Sequence, residues 1–374
     1  MNLRDARPDE LEDWDARTVD APGGHVYQSR AWAEHRQASG WQPRFLVADD
    51  GGLALVLTRP WPLVGGGSGY VPRGPVSMGA EPAALGARLV AIGEALAAEG
   101  IDVLAADAEV PATDDAFLAT IEAAGFHPIE EIQSSRHRVS LPIGPGADEA
   151  SVFEAIAKST RQRIRGAERA EVAVVRHDAR AGAAGPGEGF VAPGEPAAAA
   201  LDRFYDLLLE TGERRHFSFG PRAGFVAWWE AALTAGHLVY LEARAGDGAG
   251  ASGGLGAPLA GLILYRHGGR LSTVHSGDHA STRSTHPGAL HLLRWRAIQL
   301  AIREGSPEMD LGGVDVAGAR GEPHEGDPLY GLFQHKASFG GRWLELTGAQ
   351  ERVYDPRGYQ LGRLSSRVAR LVRR

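Results

Sequence analysis

The stretch Gly331-Leu-Phe-Gln-His-Lys-Ala-Ser-Phe-Gly-Gly341 is the most informative part of this 374-residue sequence. It places Lys336 just before Phe339-Gly-Gly341, a tripeptide whose glycines favour a turn. A lysine in this position can be a solvated surface residue. It can also be a cation that stabilises negative charge at a reacting group. The residues of this stretch leave both interpretations open, and the rest of the chain has to decide between them.

Length and composition limit the class of protein. A chain of this length exceeds one ordinary core and predicts about two domains. Hydrophobic residues make up 43%, which is normal for a globular protein. The chain has no cysteine, which excludes disulfides, thiolate zinc sites and a cysteine nucleophile. The net charge of −8 argues against broad coating of nucleic acid, although a local basic groove remains compatible with it.

The sequence also favours a cytoplasmic protein. The first 16 residues are acidic and lack the apolar core of a signal peptide. No stretch approaches the 18 apolar residues of a membrane-spanning helix. We therefore expect a cytoplasmic location.

The first part of the chain alternates strand-like and helix-like patterns. Two β-type runs flank Asp49-Asp50-Gly51-Gly52 and predict a hairpin. Helices are predicted over 83–99 and 115–124, with a strand over 101–105 between them. A Pro- and Gly-rich linker at 141–146 marks a boundary. These patterns predict a first domain over residues 1–145.

The second part repeats a similar order of elements. The apolar spacing predicts helices over 151–170, 201–211, 222–235 and 287–304, and strands over 237–242, 259–265 and 270–275. Glycine-rich segments at 178–200 and 246–257 predict a flexible loop and a strand-connecting tip. The second domain is predicted over 146–345, and residues 346–374 are expected to pack back on the first domain. We predict an α/β (α+β) fold, in which each domain has a mixed sheet flanked by helices.

Five clusters follow one another along the chain, and together they resemble the FemABX family. The clusters are Gln28-Ser-Arg-Ala-Trp32, Gly69-Tyr-Val-Pro-Arg-Gly-Pro75, Lys158–Arg165, Asp310-Leu-Gly-Gly313 and Gly331–Gly341. The resemblance covers about residues 24–360 and implies two tandem GNAT-like domains. It also implies the transfer of an amino acid from aminoacyl-tRNA to the stem peptide of a peptidoglycan precursor, either lipid II or UDP-MurNAc-pentapeptide. No cofactor is implied beyond the aminoacyl-tRNA, and no metal. Because residues 178–200 are glycine-rich, we expect no coiled-coil hairpin in this chain.

The resemblance assigns chemistry and donor binding to particular residues. Lys336 matches the family lysine that polarises the ester carbonyl, and Asp107 matches an acidic residue beside the acceptor amine. His335 stands where the family has phenylalanine beside the tRNA acceptor end. It could stack on a base, signal another acyl donor, or be a half-buried histidine in a strand. Arg161 and Arg165 could contact RNA or form the solvated face of a helix, which is the interpretation favoured for Arg163.

The acceptor side involves five further residues. Arg36, predicted on one helix face with Trp32, and Arg222 match basic family positions suited to phosphate, with exposed helix arginines as the alternative. Tyr70 and Arg73 are expected to shape the acceptor groove, although Arg73 could instead lock its loop by bonding carbonyls. His275 falls where family members tend to have an aromatic polar residue.

The end of the chain predicts a basic amphipathic helix. Apolar residues recur at 361, 364, 368 and 371. Arginines occupy the rest of this surface, at positions 363, 367, 370, 373 and 374. Such a helix could rest on the inner face of an anionic membrane, contact tRNA, or pack on the N-terminal domain.

Two other functions compete with aminoacyl transfer. The chain could use acyl-CoA or make a peptide-like natural product on the same fold, or it could be a non-catalytic binding protein. A CoA-dependent enzyme should have glycines that cradle pyrophosphate at a helix entry. The matching entry, Arg283-Ser-Thr-His-Pro-Gly-Ala289, lacks the first glycine, and its proline removes a donor. The sequence leaves the transferred amino acid and the oligomeric state open.

Overall fold

A computed structural model describes residues 1–215, 219–246, 255–315, 318 and 320–372. In this part of the chain a first lobe contains a mixed sheet whose strands come from the N-terminal third and from one late segment. Its early strands are β1 (Leu3–Asp5), β2 (Gln42–Ala48), β3 (Leu53–Pro60), β4 (Gly67–Val71), β5 (Val103–Ala106) and β6 (His127–Pro128). β2 and β3 pair antiparallel across residues 49–52, so the predicted hairpin is confirmed.

Helices flank this first sheet. They are α1 (Pro8–Glu12), α2 (Arg30–Ala38), α3 (Pro82–Ala98) and α4 (Asp115–Ala123). The predicted helices over 83–99 and 115–124 are therefore confirmed as α3 and α4. The buried face of α3 carries Leu85, Leu89, Ile92 and Leu96 onto the sheet. Gly100 follows α3 with a φ of 89°, a backbone conformation that favours glycine.

A second sheet forms the other lobe. Its strands are β7 (Arg138–Pro142), β8 (Ala173–His177), β9 (Leu238–Arg244), β10 (Pro258–His267), β11 (Arg270–Asp278), β12 (Glu308–Asp310) and β13 (Arg342–Leu344). They lie in the order β13-β7-β12-β11-β10-β9-β8. All pairings are antiparallel except that of β11 with β12, so this sheet is also mixed. The three strands predicted between 237 and 275 are confirmed.

The helices of the second lobe differ from prediction at two places. They are α5 (Glu149–Ala155), α6 (Lys158–Arg169), α7 (Ala197–Arg215), α8 (Arg222–Thr234), α9 (Thr282–Thr285), α10 (Ala289–Arg303) and α11 (Tyr330–Ala337). The single helix predicted over 151–170 is wrong. The chain breaks at Ile156, whose extended backbone lets the side chain enter the core between α5 and α6. Part of the predicted 178–200 loop is helical, because residues 179–184 form a short 3-10 segment and α7 begins at Ala197.

Two strands lie near the points where the chain passes from one sheet to the other. β7 contains Leu141 and Pro142, which pair with Met309 and Glu308 of the second sheet. The linker predicted over 141–146 is therefore wrong at its first two residues, which are strand. A last strand, β14 (Gln350–Val353), returns to the first sheet and lies between β5 and β6. The domain boundaries given above remain a prediction.

The chain ends in α12 (Pro356–Val372). Arg373 and Arg374, which belong to the predicted basic terminus, lie outside the described residues, as does most of the predicted tip at 246–257. The longest helix in the described ranges is α7 with 19 residues, and none of them forms the long hairpin of some FemABX proteins. Two seven-stranded mixed sheets flanked by helices confirm the predicted fold class. None of the helices in the described ranges is long and apolar enough to span a bilayer.

Candidate active site

Lys336 lies inside the protein, on the last turn of the short helix α11. Only 5% of its surface is exposed, and its Nζ donates a hydrogen bond to the carbonyl oxygen of Gly313 at 3.1 Å. The interpretation of Lys336 as a solvated surface residue is therefore wrong. A buried ammonium is costly unless polar groups surround it, so this position needs a specific reason.

The glycines around Lys336 create the space for its side chain. A Cβ on Gly312, where φ is 84°, would lie 3.1 Å from the Lys336 Nζ and 2.7 Å from the Thr273 carbonyl oxygen. A Cβ on Gly313 would overlap the side chain of Ser135. A Cβ on Gly341 would lie 2.6 Å from Val139. The two glycine pairs therefore let neighbouring backbone segments close around the lysine.

The surroundings of Lys336 lower the pKa of its ammonium to about 7. Burial is the main cause, and the positive charge of Arg294 adds to it. Asp310 and Asp315 act in the opposite direction. Asp315 is 3% exposed, and its Oδ1 has no hydrogen-bond partner among the described residues. The Lys336 ammonium therefore loses its proton more easily than an exposed lysine does. It interacts with Asp315 and Arg294, each of which has polar atoms without a hydrogen-bond partner in the described residues.

Asp107 is the buried carboxylate of the first lobe. It is 1% exposed, follows β5, and accepts hydrogen bonds from the Tyr70 hydroxyl at 2.9 Å and the Arg73 backbone N–H at 2.7 Å. Burial raises its pKa to about 6, although the Arg73 guanidinium, 3.7 Å away, favours the ionised form. The structure thus brings Asp107, Tyr70 and Arg73 together. A carboxylate with such a pKa can exchange a proton near neutral pH.

The loop that carries Arg73 is fixed by the first cluster of the sequence. The Gln28 side chain is fully buried and donates to the Pro72 carbonyl oxygen at 2.6 Å, while it accepts from the Leu55 N–H at 2.6 Å. Arg73 Nη2 donates to the Ser135 carbonyl oxygen at 3.2 Å. Arg73 therefore locks its loop, as the alternative interpretation proposed, and also pairs with Asp107.

Charged side chains continue from Arg73 toward Lys336. Glu109, two residues after Asp107, forms an ion pair with Arg270 and lies 3.6 Å from Arg138 Nη1. These arginines hold the pKa of Glu109 well below its usual range, against the effect of burial. Arg138 acts electrostatically on Asp310, and Asp310 acts on Lys336. Alternating charges therefore connect Asp107 in one lobe with Lys336 in the other.

Arg36 occupies a position suited to an anionic group. Its guanidinium carbon lies 5.5 Å from the ring centre of Trp32 and 5.4 Å from that of Trp41. The predicted arrangement of Trp32 and Arg36 on one helix face is confirmed. Burial lowers the pKa of Arg36, and in the described residues no carboxylate forms an ion pair with it. Arg36 interacts electrostatically with Tyr70, whose hydroxyl donates a hydrogen bond to Asp107.

Arg222 and His275 have different surroundings. Arg222 begins α8 and forms ion pairs with Asp202, at 3.1 Å, and with Asp206. A phosphate at Arg222 would have to compete with these two carboxylates. His275 lies among the rings of Phe225 and Trp229, at centroid distances of 6.1 and 5.6 Å, and burial lowers its pKa to about 4. His275 is therefore neutral at physiological pH.

The predicted donor residues lie around α11 and α6. His335 is a half-buried residue of a helix, so the strand expected there is wrong. Burial lowers its pKa to about 2, and nearby arginines add to the effect. Arg165 is exposed and lies over the Phe153 ring at 5.3 Å, and Arg161 is half-buried. The structure thus places His335 directly beside Lys336 and puts the two arginines on the outer part of α6.

Sequence reasoning missed Arg294, which acts on both Lys336 and His335. It is 4% exposed and lies on α10, most of whose residues are buried. The sequence of α10 is apolar on most of its positions, so a charged residue within it could have been recognised as a candidate for burial. The described residues contain no group of three or more acidic or histidine side chains that could hold a metal ion.

Comparisons with known proteins agree with this architecture. Residues 157–325 match the family model described as an acetyltransferase (GNAT) domain. FemX superposes with a TM-score of 0.75 at 19% identity, over 96% of this chain and 99% of its own. L-PGS from Bacillus licheniformis superposes with a TM-score of 0.51 at 12% identity, over 99% of this chain and 98% of its own. A conserved protein of unknown function from Bacteroides thetaiotaomicron superposes with a TM-score of 0.52 at 12% identity, over 94% of this chain and 98% of its own. No curated protein matches the sequence.

The two lobes have a tandem GNAT-like fold, and the GNAT match over residues 157–325 supports an acyltransferase. Within that class, the chain has the fold of FemX over nearly its full length. The resemblance to the FemABX family is therefore confirmed at the level of the fold.

Proposed function

We propose that the protein transfers an amino acid from aminoacyl-tRNA to an amine of the peptidoglycan stem peptide. The observation that carries this proposal is the buried Lys336, held by Gly313 and flanked by Asp310 and Asp315. A desolvated ammonium is the group that such chemistry needs beside a developing oxyanion. The similarity to FemX supports the choice of substrates.

The reaction requires one nucleophile, one electrophile and one proton acceptor. The acceptor nitrogen attacks the ester carbonyl, and a tetrahedral oxyanion forms, which the Lys336 ammonium stabilises. The C–O bond then breaks, and the tRNA oxygen leaves as a hydroxyl with the proton that the nitrogen lost, passed on by Asp107. Asp107 orients the amine through its carboxylate and takes up the proton that the nitrogen loses. Holding both substrates in the reacting geometry would contribute roughly 7–11 kcal/mol to lowering the barrier.

The acceptor carries a pyrophosphate in both lipid II and UDP-MurNAc-pentapeptide. Arg36 is assigned to bind it, because its guanidinium is free of carboxylates in the described residues and is held over two tryptophan rings. Tyr70 lies between Arg36 and Asp107 and would contact the same substrate. Arg222 and His275 belong to the proposed acceptor side, with Arg222 exchanging its carboxylate partners for phosphate.

A different acyl donor is the second candidate, and the GNAT domain match over residues 157–325 favours it. His335 in place of phenylalanine points the same way. The N-cap of α10 is Gly288, preceded by Pro287, so the glycine pattern for pyrophosphate binding is incomplete. This feature favours RNA over acyl-CoA as the donor, with His335, Arg161 and Arg165 as its proposed contacts.

A direct assay separates the two candidates. Purified protein is mixed with charged tRNAs and with UDP-linked or lipid-linked pentapeptide, and amide formation is followed by mass. We expect a mass increase of one or more amino acids on the pentapeptide, dependent on charged tRNA. Product with acetyl-CoA but with none of the tRNAs would exclude the proposed donor.

We also propose a cytoplasmic protein that contacts the inner face of the membrane through α12. Leu361, Leu364, Val368 and Leu371 of this helix are between 51% and 73% exposed. Arg363 and Arg367 are exposed beside them. An apolar stripe flanked by arginines fits an anionic lipid surface, where a lipid-linked acceptor would lie.

A further inference from the structure

Three helices of the second lobe, α6, α10 and α11, meet beside Lys336. The Thr160 hydroxyl of α6 donates to the Ser338 hydroxyl just after α11 at 2.9 Å. α10 packs so closely on α6 that a Cβ on Gly288 would overlap the carbonyl oxygen of Arg163. The three helices are therefore closely packed at this junction.

Basic side chains from all three helices converge at this junction. His291 and Arg294 lie one turn apart on α10, and the His291 ring contacts that of His335 at 4.6 Å. Arg163 Nη1 lies 3.4 Å from Nε2 of His291. The Arg294 guanidinium carbon lies 5.9 Å from the ring centre of Phe339, and the same ring contacts His335 at 5.4 Å. We call Arg163, His291, Arg294 and His335 the junction cluster.

Arg294 is buried without a carboxylate. Its Nε and Nη1 have no hydrogen-bond partner within the described part of the chain. Burial lowers its pKa to about 10, with no acidic neighbour opposing the effect, and burial lowers the pKa of His291 to about 4. The histidines are neutral, so the charge of the junction cluster comes from its arginines.

The three other buried arginines in the described residues each pair with a carboxylate, although Arg270 Nε also lacks a hydrogen-bond partner. Arg88 forms an ion pair with Asp50 at 2.8 Å, Arg266 pairs with Asp178 at 2.9 Å, and Arg270 pairs with Glu109. Buried donors left without acceptors destabilise a folded protein. Arg294 differs from these arginines because no carboxylate pairs with it. This difference indicates a site where a ligand supplies the hydrogen-bond acceptor.

We infer that the junction cluster binds a phosphate group of the acyl donor, with Arg294 and Arg163 as the charged donors. A guanidinium fits phosphate oxygens in a bidentate geometry, and the N-terminal part of α10 favours an anion. Arg163 is exposed and His335 is half-buried, so the outer side chains of the cluster face solvent, while Arg294 lies beneath them at 4% exposure. The inference rests on the proposed acyl transfer, because Lys336 beside the cluster marks the position of the donor ester. The phosphate can come from RNA or from the pyrophosphate of CoA.

The test measures binding without turnover. Isothermal titration at constant ionic strength uses inorganic pyrophosphate, CoA and a short RNA ending in cytidine-cytidine-adenosine. We expect Arg294→Met to weaken the probe that binds the wild type by about ten- to hundredfold. Arg303→Gln, at the other end of α10 and paired with Glu149, should bind like the wild type. RNA binding alone identifies a nucleic-acid donor, and CoA binding alone identifies a CoA thioester.

A stability measurement distinguishes a ligand site from a structural arginine. Because Arg294→Met removes a buried charge with unused donors, the variant without ligand should melt at the same temperature as the wild type or higher. Arg294→Lys keeps a cation and should retain more phosphate binding than the methionine variant. Unchanged affinity in Arg294→Met, a lowered melting temperature in that variant, or a wild type that binds none of the three probes would overturn the inference. Since no product is measured, a failure of aminoacyl transfer leaves these results unaffected.

Discussion

At the scale of single residues, the proposed chemistry depends on two buried groups with shifted pKa values. Lys336 gives up its proton near pH 7, and Asp107 takes one up near pH 6. Both shifts have the same main cause, which is burial of the charged form. The lysine must be protonated to stabilise an oxyanion, and the aspartate must be ionised to accept a proton. Only a narrow range of pH satisfies both conditions.

The Lys336→Met variant tests the role of the ammonium. Loss of this charge should lower kcat by about 10²–10³-fold with little change in donor KM, because the interaction forms in the transition state. The variant should also fold. Folding lowers the lysine pKa from 10.5 to about 7, so the neutral form is favoured in the native state. The stability that this shift provides is present above pH 10.5 and is lost as pH falls toward 7.

The difference in melting temperature, variant minus wild type, should therefore grow between pH 10 and pH 7. This measurement separates catalysis from folding, since a misfolded variant would melt lower at every pH. Full activity of Lys336→Met would show that the proposed mechanism is wrong.

The pH profile of kcat/KM tests the two groups together. Activity should rise as pH increases through about 6, when Asp107 ionises, and fall through about 7, when Lys336 loses its proton. Asp107→Asn should abolish the acidic limb and leave the basic one. An unchanged acidic limb in this variant would assign that limb to another group.

At the scale of elements, two glycine pairs shape the lysine site. Gly312 and Gly313 follow β12, and Gly340 and Gly341 precede β13. The absence of side chains lets the backbone of Gly313 reach the Lys336 Nζ. The geometry of the catalytic lysine therefore depends on backbone packing as much as on α11 itself.

Gly313→Ala should damage this arrangement. The added methyl group would overlap Ser135 and lie 2.7 Å from the His137 carbonyl oxygen, so the turn must shift. We expect a loss of about 1–3 kcal/mol in the free energy of unfolding, measured by urea denaturation, and a lowered kcat. Gly331→Ala is the matched control, since a Cβ there meets no atom within 4 Å. The control should be neutral or stabilising by up to about 1 kcal/mol, and equal losses in both variants would contradict the packing argument.

The sequence predicts elements with strong periodicity better than short ones. The β2–β3 hairpin and α3 follow from alternation and from helical spacing. The eight residues of α11 are too few to show a period, so neither its helical state nor the burial of Lys336 could be read from the sequence. The break at Ile156 has no glycine or proline to signal it. The surroundings of Arg294 could not be predicted either, because they come from three helices that are distant in sequence.

At the scale of the whole molecule, late segments of the chain return to the first lobe. β14 inserts between β5 and β6, and the N–H of Tyr354 donates to the Asp102 carbonyl oxygen at 2.7 Å just before α12 begins. Gly362 of α12 is buried, and a Cβ there would overlap the Trp61 ring. This contact fixes one face of α12 on the lobe. β14 and α12 therefore contact the first lobe, while the domain division with a segment over 346–374 stays a prediction.

The other face of α12 carries the exposed stripe at 361, 364, 368 and 371, with about 140° of helix rotation between Gly362 and the centre of the stripe. The stripe therefore points away from the lobe that holds the helix. This face is both apolar and basic, and an anionic membrane surface fits both properties. Lipid tails would cover the apolar side chains, and each arginine near the anionic headgroups would contribute about 1 kcal/mol to membrane binding. We expect the full chain to sediment with vesicles that contain phosphatidylglycerol and to remain free with phosphatidylcholine alone.

The double variant Leu364→Glu, Val368→Glu should abolish this sedimentation, because two carboxylates would be placed in the apolar interface and would repel the anionic lipid. Val191→Glu, which changes an apolar residue 38% exposed on the other lobe, serves as the control and should bind vesicles like the wild type. If α12 instead joins two copies of the chain, gel filtration will show a dimer that the double variant converts to a monomer, and neither protein will bind vesicles. Because the two outcomes differ in both measurements, the experiment decides whether the exposed face of α12 binds an anionic membrane or a second copy of the chain.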